Sequence, residues 1–336
     1  MTIDDVHRPD RRYVSTGLLP DSATVAGVLD RTRRRFATID DGRLSTVYPA
    51  LGRADPLCFG LALVGANGAI HEAGDARVPF TIMSVAKPFV FALVGERIGT
   101  DRVRRFVGVD ATGLPFNSAH AVERNAGGRT NPMVNAGAIA TTSLLPGSSV
   151  ERRWETLADG LSRFAGRRLD IDEEMLDSAR ATNLRNRALS LLLADAGAIE
   201  GDPLAATELY TRQSCLSVTA IDLAVMGATL ADGGVNPVTG ERVVGPEAAR
   251  ATLAVMTIAG LYETSGSWLM DVGLPGKSGI GGGIVTVSPG KGALGTFSPR
   301  LDAEGNSVRG RLCARALSEE LGLDILASQP IPPGRP

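Results

Sequence analysis

Three histidines and three cysteines among 336 residues leave little material for the commonest reactive centres. His7, His71 and His120 are isolated, with no HExxH and no Cys or His at ligand spacing, so neither a zinc site nor a Ser-His-Asp triad has an obvious source. Any nucleophile therefore needs a base other than histidine. Cys58, Cys215 and Cys313 are odd in number, scattered and set in apolar sequence, which suits reduced core thiols in a reducing compartment and not a disulfide frame. Neither sign of charge is in excess: 35 Lys and Arg oppose 37 Asp and Glu for a net of -2, which argues against nucleic acid as a partner. The basic run from Arg31 to Arg35 falls in an amphipathic helix pattern and reads as a solvated face. No stretch approaches the length of an apolar membrane span. The opening MTIDDVHRPDRRY has no apolar core of an export signal, so the expectation is a cytoplasmic protein away from membranes.

What is present is the composition of an ordinary globular body, 43% hydrophobic and 21% charged. Residues 1–20 and 329–336 are polar and proline-bearing and read as tails, leaving a single catalytic domain over 21–328. CFGLALV, the turn-like GANG and AIHEAG make a β-hairpin signal. VPFTIMSVAKPFVFALVGERIG, apolar on every face, follows as a buried helix with Ser84 near its start. VNAGAIATTSLL, RNRALSLLLADAGA and SVTAIDLAVMGATLADGG carry helical patterns and suggest a helical subdomain over about 100–235. PEAARATLAVMTIAGLY continues as helix. GIVTVSPGKGALGTFSP then reads as two short strands, and VRGRLCARALSEELG as a final helix. Strands from both ends of the chain with helices between them imply an α/β (α+β) fold, an antiparallel sheet flanked by helices.

Ser84-Val-Ala-Lys87 is an S-x-x-K at a helix opening, where one turn brings a hydroxyl beside an amine. A serine hydroxyl becomes a useful nucleophile when a neighbour accepts its proton, and a lysine does so only where burial brings its pKa toward neutrality. Alone the motif has little weight, being also what a capping serine and a snorkelling lysine look like. Lys277-Ser278-Gly279, before the glycine-rich GIGGGIVTV, strengthens it, because S-x-x-K followed by K-[ST]-G on an edge strand marks the penicillin-recognising serine hydrolases. The backbone N–H groups of Ser84 and Ile280 are then the expected oxyanion hole, with Lys277 adding positive potential. A phosphate loop is excluded by spacing, since Asp271 stands where a Walker A glycine belongs.

Beyond these motifs, GDARVPFTIMSVAKP, PFNSAHAVERNAGGRTNPMVNAGAI, RNRALSLLL, LYETSGSW, VGLPGKSGIGGGIVTVSPGKG and FSPRLDAEGNSVRG resemble the serine-dependent, β-lactamase-like glutaminase family. The resemblance runs from about Pro49 to about Leu312. It implies hydrolysis of L-glutamine to L-glutamate and ammonia without metal or organic cofactor, by an oligomer of two or four copies. It makes Ser84 the acyl-accepting nucleophile, Lys87 its partner and Tyr262 a phenol exchanging protons with Ser84. Tyr210 lines the pocket, Asn135 and Asn186 bind the polar end of the small amide substrate, and Lys277, Ser278 and the Ile280 amide complete the binding side. Three departures accompany it: Ala179 stands where the family has a glutamate for the substrate's α-ammonium, Met83 where it has glutamine, and Val47 where it has tyrosine. Tyr48 is a neighbouring substitute for the last, and Asp177, Glu173 or Glu174 are candidates to replace the missing carboxylate. The departures keep open an amidohydrolase for a small ω-amide lacking a free α-amino group. A penicillin-binding or β-lactamase role and a non-catalytic relative are the remaining alternatives.

Overall fold

The computed structural model describes residues 17–328, so the tails expected at 1–20 and 329–336 lie outside the described residues apart from positions 17–20. Seven strands and thirteen helices follow one another among the described residues. The strands are β1 (Gly60–Gly65), β2 (Ile70–Gly74), β3 (Phe80–Thr81), β4 (Ser217–Val218), β5 (Gly276–Ser278), β6 (Gly283–Ser288) and β7 (Gly292–Phe297). The helices are α1 (Ser22–Phe36), α2 (Ala86–Ile98), α3 (Thr100–Val103), α4 (His120–Arg124), α5 (Asn135–Ser143), α6 (Val150–Ala165) and α7 (Glu173–Thr182). They continue as α8 (Leu184–Asp195), α9 (Pro203–Ser214), α10 (Ala220–Ala231), α11 (Pro246–Ala259), α12 (Ser265–Val272) and α13 (Val308–Glu320).

Five strands form an antiparallel sheet in the order β2-β1-β7-β6-β5. The β1/β2 hairpin and the β6/β7 pair fall where the turn residues place them. The sequence does not show that Gly60 of β1 pairs with Phe297 of β7, which joins the two halves of the chain in mid-sheet. Strands β1, β6 and β7 are buried throughout because helices cover both faces. Leu61, Leu63, Ile284 and Leu294 meet α1 and α13 residues Val25, Val28, Leu29, Cys313 and Leu317 in one core. The alternate positions Ala62, Val64, Val285, Val287 and Ala293 belong to a second core with α10 and α2. Each fully buried leucine contributes about 1.5–3 kcal/mol. Helix α10 comes close because the facing residues are small: a Cβ on Gly295 would lie 2.1 Å from the Ala220 carbonyl oxygen. Its start is fixed by a capping box between Thr219 and Asp222, and Arg167 also holds the Asp222 carboxylate at 2.6 Å.

The stretch read as one buried helix divides in two. Phe80–Thr81 is strand β3, paired with β4, and Ile82 donates its N–H to the Leu216 carbonyl oxygen at 2.9 Å. The chain then makes a 3-10 turn over Met83–Val85 and only at Ala86 becomes α2. Helix α2 is buried from Ala86 to Gly95 and α5 along its whole length, so the two form the centre of the helical layer.

Candidate active site

Ser84 stands in that turn, half-buried, and the first turn of α2 carries Lys87 to its side with Nζ 3.0 Å from Ser84 Oγ. Within the described residues, the only non-glycine backbones with positive φ are Met83 at +48° and Tyr262 at +56°. Such conformations cost of order 1–3 kcal/mol each. One precedes the serine. The other belongs to the phenol whose hydroxyl reaches the Ser278 carbonyl oxygen at 3.3 Å and also lies beside Ser84.

Lys87 is 2% exposed. Burial pushes its amine down to about 7 from the ordinary 10.5, so near neutrality much of it is an unprotonated base. Its second partner is Asn135 Oδ1 at 2.8 Å, which also accepts from the Tyr210 hydroxyl at 3.1 Å. Asn135 donates to Asn186 Oδ1 at 3.0 Å, and Asn186 to Asn183 Oδ1 at 2.6 Å. Tyr262 moves the opposite way: burial raises its phenol to about 12, with Ser84 and Ser278 pulling it partly back, so it stays protonated and donates. Burial likewise raises Tyr210 well above the ordinary value. Two titratable groups beside one hydroxyl are thus driven apart, one toward base and one toward acid.

The opposite wall is β5 and the turn after it. Gly279 touches the Ser84 turn so closely that a Cβ there would lie 3.2 Å from the Ser84 nitrogen and 3.0 Å from the Ile82 carbonyl oxygen. Among the described residues, no hydrogen bond engages the backbone N–H of Ser84 or of Ile280. Lys277 is wholly buried, donates to the Ser278 carbonyl oxygen at 2.6 Å and lies 4.1 Å above the Tyr262 ring. Burial and the nearby Lys87 hold its pKa well below the ordinary lysine value, which weakens the positive potential expected of it. Ser278 Oγ is turned the other way, to Asn306 Oδ1 at 2.5 Å.

A base and an acid flanking a serine, with a glycine-rich edge strand opposite, is the arrangement the motifs anticipate. The sequence profile of the Glutaminase family matches residues 42–326. The chain belongs to the glutaminase family. A glutaminase 2 of Yersinia pestis is 58% identical over 330 residues, covering 98% of this chain and 97% of the relative. The solved structure of the probable glutaminase YbaS superposes with a TM-score of 0.90 at 39% identity, covering 92% of this chain and all of that one. The Bacillus subtilis glutaminase YbgJ, solved as a covalent complex with 5-oxo-L-norleucine after reaction with 6-diazo-5-oxo-L-norleucine, superposes with a TM-score of 0.80 at 29% identity. It covers 89% of this chain and 99% of that chain.

Within this glutaminase fold the expected residues Ser84, Lys87, Tyr262, Asn135, Asn186, Tyr210 and Lys277 gather in one connected set, the Ser278 carbonyl oxygen accepts from Tyr262 and Lys277, and Ile280 packs on the apolar cluster that contains Met83. The departures acquire places. Val47 is 55% exposed, whereas Tyr48 packs inward, raised to about 12 by burial and Cys215 and drawn partly back by Asn186 beside it. Met83 and Ala179 share one apolar cluster with Leu51, Met175, Leu176 and Cys215, against which Tyr48 and Ile280 pack. The carboxylates considered as replacements point elsewhere: the Asp177 side chain is 81% exposed, Glu173 is exposed, and Glu174 pairs with Arg53. Sequence reasoning missed Asn183 and Thr211, because an asparagine between two helices reads as a cap and a threonine inside a helix carries no signal.

Proposed function

We propose that this chain hydrolyses L-glutamine to L-glutamate and ammonia through an acyl-enzyme on Ser84. The observation that carries the reading is the buried Lys87 amine 3.0 Å from the Ser84 hydroxyl. Lys87 takes the serine proton as Oγ attacks the side-chain amide carbon. The Ser84 and Ile280 N–H groups hold the resulting oxyanion. Tyr262, protonated at neutral pH, passes a proton to the departing nitrogen and regains one from Lys87, so that ammonia leaves and an ester remains on Ser84. Water then attacks the ester with Lys87 again accepting the proton, and the second tetrahedral intermediate breaks its bond to Ser84 Oγ as Lys87 returns that proton to the serine, releasing L-glutamate. Lys87 alone is the base, and the expected proton exchange of Tyr262 narrows to donation, since a phenol near 12 is a poor base at neutrality. The trapped YbgJ complex supports a covalent route in a relative of the same fold. By family resemblance, the working form is a homodimer or homotetramer; the three free cysteines favour a reducing, cytoplasmic setting.

Ser84→Ala is expected to reduce ammonia release from L-glutamine about a thousandfold or more. Treating the wild type with 6-diazo-5-oxo-L-norleucine should leave one adduct, on the peptide containing Ser84, by mass spectrometry. Substantial turnover by Ser84→Ala, or an adduct on another residue, overturns the assignment.

A further inference from the structure

The amide chain behind Lys87 does not end at Asn183. Asn183 donates from Nδ2 to Thr211 Oγ1 at 2.6 Å, and the Thr211 hydroxyl donates to the Thr207 carbonyl oxygen at 2.7 Å, one turn earlier in α9. All four side chains are buried: Asn135 8%, Asn183 5%, Asn186 4% and Thr211 4% exposed.

Such a chain has a direction, set by whichever end has no choice. A hydroxyl has one hydrogen, and a backbone carbonyl only accepts. Thr211 spends its hydrogen on Thr207 and so accepts from Asn183; turning Asn183 around would forfeit the Thr207 bond, which sets the favoured direction. Asn183 must then present its oxygen to Asn186, Asn186 its oxygen to Asn135, and Asn135 its oxygen to Lys87. The lysine end imposes no such order once the amine is neutral, because an unprotonated amine both donates and accepts, and the Tyr210 hydroxyl can rotate. We propose that Thr211 and Asn183 are positioning residues that keep the oxygen of the Asn135 amide, and not its NH₂, against Lys87.

The consequence concerns a single lone pair. With the Asn135 oxygen facing it, neutral Lys87 donates a hydrogen there and turns its lone pair toward the Ser84 hydroxyl. With the amides reversed, the Asn135 NH₂ donates into that lone pair and the serine proton has no acceptor. Reversal also removes an acceptor from the protonated lysine and sets a donor against it, which disfavours the ammonium.

The inference rests on Lys87 being the base, and the tests separate the two claims. Thr211→Val keeps the shape of the side chain and removes the hydroxyl; Thr211→Ser keeps the hydroxyl. With L-glutamine as substrate, Thr211→Val is expected to lower kcat about tenfold and to move the acidic limb of kcat/KM about one pH unit lower. Thr211→Ser should restore both. A general loosening of the site would admit water and move the limb to higher pH, toward an ordinary lysine. The titratable groups facing Lys87 among the described residues, Tyr210, Tyr262 and Lys277, are the same in every variant. Should Thr211→Val not accumulate as folded protein, Asn183→Leu cuts the same link and is read the same way. A wild-type profile, a limb moved to higher pH, or a serine variant as impaired as the valine variant overturns the positioning role. Lys87→Ala tests the underlying reading: retained turnover refutes the base itself, whereas a dead Lys87→Ala beside an unaltered Thr211→Val refutes only the orientation claim.

Discussion

Replacing Lys87 by methionine should remove the activity and make the protein more stable. An unfolded chain holds the lysine proton up to about 10.5, whereas the folded site releases it near 7. Between those values the unfolded state binds more protons, so wild-type stability rises with pH across the interval and is lowest at its acidic end. At pH 7 the gap opposes folding by about 5 kcal/mol. Methionine keeps the length of the aliphatic stem and abolishes this cost. It forfeits the hydrogen bonds to Ser84 and Asn135, roughly 1 kcal/mol each, while Asn135 Oδ1 keeps its bond from Tyr210 at 3.1 Å. The net expectation at pH 7 is a gain of about 2–3 kcal/mol, or roughly 3–4 °C in Tm for a chain of 336 residues. The advantage should shrink by about 1.4 kcal/mol per pH unit and vanish near pH 9. Urea unfolding at both pH values, followed by the fluorescence of Trp154 and Trp268, measures it, and ammonia release reports the activity. Lys277 also gains, because Lys87 is one of the two causes that hold its pKa down, so its relief adds to the stabilisation in the same direction. A variant less stable than the wild type at pH 7, or a difference that does not change with pH, refutes the claim that this amine is held neutral by burial.

Two further substitutions probe the walls of the site. Gly279→Ala puts a methyl 3.0 Å from the Ile82 carbonyl oxygen and 3.2 Å from the Ser84 nitrogen; the fold should survive while kcat falls about a hundredfold. Wild-type kcat in that variant would show that the close approach of strand and turn is dispensable. Ala179→Glu, in the apolar cluster beside Met83 and Ile280, should lower KM for L-glutamine tenfold to a hundredfold and leave KM for glutaramate, which lacks the α-amino group, unchanged. An unchanged or higher KM for glutamine would show that position 179 does not face the substrate's ammonium.

The parts of the site legible in the sequence are those joined by short spacing or by glycine. Ser84 and Lys87 are one turn apart, and Lys277-Ser278-Gly279 announces an edge strand before a glycine-rich run. The hairpin at residues 60–74 and the late strands could be read because their turns are made of glycine, asparagine and proline. Neighbours made by distant contacts could not. Asn183 meets Thr211 only because α8 and α9 pack together, and it is the fold that leaves Val47 exposed and packs Tyr48 against the Met83 cluster. The start of α2 is hidden for a related reason. Phe80–Ile82 are as apolar as the helix that follows, and only pairing with Leu216–Val218, in the far part of the chain, makes them extended.

The pairing of β1 with β7 also bears on how the molecule comes into being. An emerging chain makes its reactive serine early, but the strand that faces it and the one that fills the middle of the sheet leave the ribosome near the end. Until then the first hairpin lacks its central neighbour and exposes an unpaired apolar edge, the kind of surface on which partly made proteins associate wrongly. Ribosome-bound intermediates thus hold Ser84 and Lys87 without the β5 wall that lies against their turn, and the site is assembled only when the last strands close the sheet.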